Sequence, residues 1–275
     1  MKSQTAQVYD SSARRIPLVY DLGELIRYRF LVSNLVARDL KIRYKRSVLG
    51  FIWAMLNPLL TMAVLVVVFS QLFKFNTPHY AVSLLGGTLL WTLYAQGSNA
   101  AMGSLQSSGS IIRKMYVPPV VFVTSAVGSA LVNFGFALVP FVLLAMADHL
   151  TPSFTWIFAL YPALLTAIFT MGIGLIVGAL IVFFTDIFEI YQVVLQGYYF
   201  LTPIFYPIKI VPKQLQVFEQ YNPMYLSIHS FQQIIISGAF PPDAHLLRDA
   251  GMSLAVLAIG WFFFSRVEGK FVYHF

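Results

Sequence analysis

The sequence predicts an all-α integral membrane protein with six transmembrane helices, an N-terminal amphipathic interface helix and two short external helices between spans 5 and 6. Three observations carry that prediction. Of the 275 residues 58% are hydrophobic and only 11% charged. Soluble chains are about one quarter charged, so too little polar surface remains to cover a water-soluble globule. Charge-free apolar stretches recur along the chain. Finally, 10 of the 18 Lys and Arg residues stand in the first 46 positions, directly against the first such stretch.

A membrane helix needs roughly 20 mostly apolar residues, because its backbone polar groups must be satisfied within the segment. The windows Leu49–Phe73, Tyr80–Gln106, Val117–Ala147, Phe154–Thr185 and Ile190–Ile208 meet or approach that length. A sixth, Ala250–Ser265, is shorter, with Arg248 and Arg266 placed to snorkel from its ends. Six spans put both termini on one side. With that topology 14 Lys and Arg fall on the side of the termini and 4 on the other, which predicts cytoplasmic termini and a cytoplasmic Arg113 loop. The "TDIFEI" connection, with Asp186, Phe188 and Glu189, is expected there too. The first twenty residues lack the continuous apolar core of a cleavable signal peptide, so the first span is expected to direct insertion. Cysteine is absent, which excludes disulfides and thiolate metal sites.

The surplus of positive charge before the first span needs its own account. At 100° per residue Arg27, Asn34, Arg38, Lys41 and Lys45 share one face, with Leu22, Leu25, Ile26, Val32, Val36 and Leu40 mostly opposite. This predicts an amphipathic helix over residues 22–47, lying in the interface. The basic face either rests on anionic lipid or guides an anionic lipid-linked substrate, its phosphate oxygens met by Arg and Lys; both readings fit.

In the fifth span Tyr191, Tyr198 and Phe205 repeat every seven residues, beside a polar stripe of Gln192, Gln196 and Tyr199. Such a face at membrane depth turns from lipid towards a pore or a neighbouring helix. Gly172, Gly174 and Gly178 form small faces for close helix packing. The segment Ile208–Arg248 is too polar to span and reads as two short amphipathic helices broken at Asn222-Pro223. His229 lacks a second His or carboxylate at ligand spacing, which argues against a metal site. No Gly-x-x-x-x-Gly-Lys-Ser/Thr phosphate loop occurs in the chain.

The stretch "IRYKRSVLGFIWAMLNP", with Arg43, Tyr44, Ser47, Leu49, Gly50, Trp53 and Pro58, resembles the boundary pattern of type 2 ABC permeases that export polysaccharides: O-antigen, capsule or teichoic acid. "LTPIFYP" (Leu201–Pro207) and "YNPMYLSIHSFQQII" (Tyr221–Ile235) are similar in the same order and topology. The loop "IIRKMYVPPVVF" departs from the family by bringing Pro118 and Pro119 together.

The resemblance implies a single exporter transmembrane domain over residues 1–275: a cytoplasmic tail (1–21), the interface helix (22–47), a six-span bundle (49–265) and a second tail (266–275). It implies short re-entrant external helices between spans 5 and 6 that cap the outer exit, where the residues alone equally allow a small external domain resting on the membrane surface. It also implies a homodimer in the bacterial cytoplasmic (inner) membrane, worked by two copies of a separate nucleotide-binding subunit that carries ATP and Mg. No cofactor is expected in this chain, and no nucleic acid partner. The stretch Ser107–Pro119 would be a short coupling helix on the ATPase, with Ile111, Ile112, Met115 and Tyr116 as apolar contacts and Arg113 and Lys114 at the rim. Tyr191, Gln192, Gln196, Tyr198, Tyr199 and Phe205, with Trp53 and Asn57 on the first span, would wall a glycan path, since ring faces stack on pyranose C–H groups. Two alternatives remain at this point. One is a small-molecule or antibiotic exporter of the same superfamily. The other is a membrane-embedded lipid glycosyltransferase, against which stand the scattered carboxylates and the lack of an Asp-x-Asp, His-Asp or Ser nucleophile motif. All carboxylates are expected to flank spans, which argues against an ion-coupled carrier.

Overall fold

The computed structural model describes residues 23–44, 52–71, 79–114, 117–206 and 208–274. Among these the regular structure is helical throughout: α1 (Arg29–Tyr44), α2 (Ile52–Gln71), α3 (Tyr80–Lys114), α4 (Val120–Ala147), α5 (Leu160–Phe183, led by a 3-10 turn at Phe154–Ala159), α6 (Ile187–Leu201), α7 (Lys213–Glu219), α8 (Pro223–Ser237), α9 (Asp243–Val267) and α10 (Phe271–His274). Among the described residues three segments are long and apolar enough to cross a membrane: Val120–Ala147, Phe154–Phe183 and Asp243–His274.

α3 is the central post. It packs along α4 and α5, while α5 packs along α9 on its other side. The contact with α9 is backbone to backbone: a Cβ on Gly172 would lie 2.7 Å from the main chain of Val256 and Leu257, and one on Gly260 would strike Gly172 itself. Gly174 instead seats α3, its missing Cβ falling 2.8 Å from that of Ala101. The two small faces expected of this glycine run therefore serve two different neighbours.

Two apolar cores stack along the bundle. One joins the first half of α3 to the second half of α4, the start of α5 and α8, through Leu85, Leu89, Trp91, Phe141 and Phe231. The other joins the second half of α3 to the start of α4 and the ends of α5 and α9, through Leu105, Val123, Leu175 and Phe264. α1 and α10 close this second end, α1 by burying Leu35 against the start of α4 and α10 by burying Phe271. The basic segment, the end of α3 and the C-terminal helix thus share one end of the bundle, and α8 lies at the other.

Helix ends follow local chemistry. The Asn222 carboxamide oxygen accepts from the amides of Met224 (3.1 Å) and Tyr225 (3.3 Å) and Pro223 takes the first position of α8, satisfying groups that a helix start leaves without partners. Gly238 ends it in the left-handed region at φ +65°. The expected break at Asn222-Pro223 is therefore present, with α7 and α8 on its two sides.

Three elements differ from expectation. α9 begins at Asp243, seven residues before the apolar window, because its polar first turns are paired or exposed rather than unwound. α6 stops at Leu201, short of Ile208, because Pro203 opposes helix at the residue before it. There the Tyr206 hydroxyl donates to the orphan carbonyls of Phe200 (2.9 Å) and Leu201 (3.1 Å). The stretch from Ser107 to Lys114 is no separate short helix. It is the last part of the 35-residue α3.

Candidate functional site

The repeat of seven along α6 advances two helical turns, so Tyr191 and Tyr198 emerge on one face. That face lies on α3. Tyr191, only 7% exposed, directs its hydroxyl at that of Tyr94 (3.4 Å). Tyr198 donates to the Asn222 carboxamide oxygen at the cap of α8 (2.5 Å). Beside them Gln192 donates to the Asn99 carboxamide oxygen (2.5 Å).

Aromatic rings fill the space between these polar ties. Trp91 meets Tyr94 and Tyr198 edge-on at 5.4 and 5.5 Å and lies tilted against Tyr199 at 5.0 Å. Phe205, carried on the chain beyond α6, packs on Tyr199 at 5.5 Å. Spacings of this kind suit the ring quadrupoles and add about 0.5–1.5 kcal/mol per pair beyond buried area. Tyr191, Gln192 and Tyr198 thus turn towards neighbouring helices, and their hydroxyls and amide find partners inside the chain.

Trp91, Tyr94 and Asn99 are the partners that sequence reasoning missed. Trp91 and Tyr94 are neighbours on α3 by spacing, Asn99 lies about 140° round from Tyr94, and nothing in the sequence said that this side of α3 meets α6. Gln196 departs from the expected polar stripe and is exposed, on a side of α6 shared with Ile190, Val193, Val194 and Phe200. Trp53, 46% exposed, and Asn57 stand on the exposed side of α2, apart from the cluster, among Ile52, Leu60, Val64 and Val67.

On the basic segment Arg27, Arg38 and Lys41 are exposed. Arg27 lies 3.5 Å from Glu24 and Arg38 3.0 Å from Asp39, so two of the three carry a carboxylate neighbour. On the opposite face Leu25, Val32, Val36 and Leu40 are half-buried and Ile26 is exposed, with Leu35 buried to one side of it. Lys45 lies outside the described residues. At the end of α3 Arg113 and Lys114 are exposed and Ile111 is half-buried, but Ile112 sits in the core, only 8% exposed, and cannot supply the apolar contact expected of it. Met115 and Tyr116 lie outside the described residues. Asp186, Phe188 and Glu189 are exposed at the start of α6.

Two sequence expectations about ionisable groups are corrected. Asp249 does not flank a span. It lies within α9, fully buried, and accepts from the Ser227 hydroxyl of α8 at 2.9 and 3.1 Å. A hydroxyl partner on another helix offsets part of its burial, a compensation invisible to hydropathy. His229 does have a second imidazole near it: His245 of α9 has its ring 5.3 Å away. Among the described residues no group of three potential ligands gathers there or elsewhere.

Comparison with known proteins agrees with this architecture. The profile of the ABC-2 type transporter family matches residues 31–236. The O-antigen export system permease protein RfbA of Myxococcus xanthus is 32% identical over 250 residues, covering 89% of this chain and 95% of that protein. Its namesake from Klebsiella pneumoniae is 27% identical, covering 93% of this chain and 98% of that protein. The polysialic acid transport protein KpsM of Escherichia coli is 22% identical, covering 83% and 90%. The match over three quarters of the chain, on a membrane-length helical bundle, shows that the protein belongs to the ABC-2 type transporter family.

Proposed function

We propose that this chain is the membrane-spanning subunit of an ATP-driven exporter that moves a lipid-linked polysaccharide, of O-antigen, capsule or teichoic-acid type, outward across the bacterial cytoplasmic membrane. The observation that carries this reading is the 32% identity to an O-antigen export permease over 89% of the chain. ATP hydrolysis comes from a separate subunit, consistent with the missing phosphate loop, and ATP and Mg belong to that subunit.

In this reading α2, α3, α4, α5, α6 and α9 are six spans within one domain, and the end bearing α1 and α10 faces the cytoplasm. α7 and α8 form the re-entrant cap at the outer end. Two copies of the chain meet two ATPase subunits. The exposed apolar sides of α2 and α6 support the pairing, because each needs a lipid or helix neighbour and each carries one amide, Asn57 and Gln196, that favours a helix or an aqueous path. Trp53, Asn57 and Gln196 then face the glycan path directly. Tyr191, Gln192, Tyr198, Tyr199 and Phe205 back that wall from the α3 side. Arg27, Arg38, Lys41 and Lys45 receive the lipid-linked head group, and Arg113 and Lys114 with Ile111, Met115 and Tyr116 contact the ATPase.

Deletion of the gene in a glycan-producing cell tests the reading. Loss of surface polysaccharide with build-up of lipid-linked glycan inside, both reversed by the wild-type gene, is expected. Unchanged surface polysaccharide in the deletion strain overturns it.

A further inference from the structure

At the end of the bundle remote from the basic segment, a cavity of about 200 Å³ opens between the start of α3, the turn after α6 and α8. Its polar wall is made by Tyr80, Ser83, Tyr206, Tyr225, His229 and Gln232. All six are half-buried, so the cavity communicates with the surface. The remaining wall is apolar and includes Ile204, Phe205 and Ile236. Among the described residues neither Lys or Arg nor Asp or Glu contributes to it, so the described wall favours a neutral ligand over a phosphate, a carboxylate or a metal ion.

The polar groups are held in place. Tyr80 donates to the Phe205 carbonyl (2.9 Å) and Gln232 to the Ser83 carbonyl (2.9 Å). With their protons committed, the Tyr80 and Tyr206 hydroxyls present oxygen lone pairs, which accept from O–H donors. The His229 Nδ1 is enclosed and has no hydrogen-bond partner within the protein. Burial and the neighbouring His245 push the His229 imidazole down from its ordinary value. At neutral pH the ring is therefore uncharged and suited to a neutral hydroxyl. The Tyr225 ring, 5.7 Å from that of His229, supplies a flat apolar face.

We propose that this cavity is a binding subsite for a single neutral sugar ring of the emerging polymer. The inference rests on the glycan-export reading and adds a residue-level contact within one protomer, which shares Phe205 with the backing of the α6 wall. A neutral ligand with several O–H donors and a C–H face fits a wall of acceptors beside an aromatic ring. The volume lies below the roughly 300–1,000 Å³ that encloses a drug-sized molecule, so one ring enters and a chain does not. A second cavity, of about 90 Å³ between α4, α5 and α8, is lined by Phe134, Phe141, Trp156 and Phe231 and lacks such acceptors.

Saturation-transfer NMR with the methyl glycosides of glucose, galactose, mannose and rhamnose tests this on the whole transporter, chain plus ATPase, in nanodiscs. Transfer to at least one glycoside is expected, weakened about tenfold in affinity by Tyr225→Ala and less by Tyr225→Phe, which keeps the ring. The melting temperature of each variant reports its folding, and Ser83→Val, which narrows the cavity from the other side, gives an independent loss of binding. No transfer in the wild type, or equal transfer in the wild type and in folded Tyr225→Ala and Ser83→Val, overturns the subsite. If the wild-type gene still restores surface glycan in that case, the subsite falls alone. If it does not, the export reading falls and the subsite with it.

Discussion

α5 and α6 are separated by three residues, yet the protein treats them in opposite ways. α5 buries 13 of its 24 residues, whereas α6 buries one of 15, Tyr191. Small residues on α5 bring α9 to backbone contact on one side and let the Ala101 and Leu105 side chains of α3 in closely on the other. α6 has no such seat: its ties to the bundle are an aromatic cluster and a few long-reach hydrogen bonds, and most of its apolar surface faces outward. The difference separates a scaffold, completed within one chain, from a surface left for something outside it. α2, with Trp53 and Asn57 exposed, belongs with α6 in this respect.

The largest effect should come from the scaffold. Gly260→Val forces a branched side chain into the main chain of Gly172, where only backbone could yield. A cost above about 4 kcal/mol is expected, seen as loss of monodisperse protein on size exclusion. Recovery of a monodisperse protein melting like the wild type would refute the close contact of α5 and α9.

Trp91→Ala sharpens the boundary between the two regions. It removes the ring that joins α3 to Tyr198 and Tyr199, and a large buried aromatic is worth about 3–5 kcal/mol. The melting temperature should fall well below that of the wild type, with α6 becoming the first segment to exchange its amide hydrogens. Uniform exchange along the chain would show that α6 is not separately held.

On the outward surface the expectation reverses. Gln196→Leu should leave stability within about 0.5 kcal/mol while lowering surface polysaccharide in a complemented deletion strain. Normal export by this variant would remove the exposed side of α6 from the glycan path.

The smallest effect concerns Glu219 at the end of α7. Burial raises its carboxyl above the ordinary value, opposed in part by the Asn222 amide that donates to it at 2.9 Å. A raised folded value favours the protonated form, so the stability it contributes is present below about 4.3 and is lost as pH climbs through the folded value. The wild-type melting temperature should therefore fall slightly over that window, and Glu219→Gln should flatten the change. An identical pH profile in the variant would place the titration elsewhere.

Much of this division was legible in the amino-acid order. Apolar windows located α4 and α5 because a continuous helix and a continuous apolar run coincide there. They shortened α9, since hydropathy counts Asp249 as a stop and does not see the Ser227 hydroxyl that accommodates it. They lengthened α6, because Ile204 and Phe205 are apolar although Pro203 has already ended the helix. The seven-residue spacing identified Tyr191 and Tyr198 as one face. It could not supply Trp91, Tyr94 and Asn99, since periodicity orients residues within a helix and carries no information about which helix lies opposite. The same limit applied to Ile112: a separate short helix was expected where α3 continues and turns that side chain inward.

The unbroken run of α3 has a mechanical consequence. It is 35 residues long without a proline, about 52 Å from end to end. One tip carries Arg113 and Lys114; the other carries Tyr80 and Ser83 at the sugar-sized cavity. No proline interrupts the helix between these tips, so a push delivered at one tip reaches the other through a single continuous element. In the reading proposed above, the contact with the motor and the saccharide subsite lie on one piece of the protein, without any relay of intermediate contacts between them.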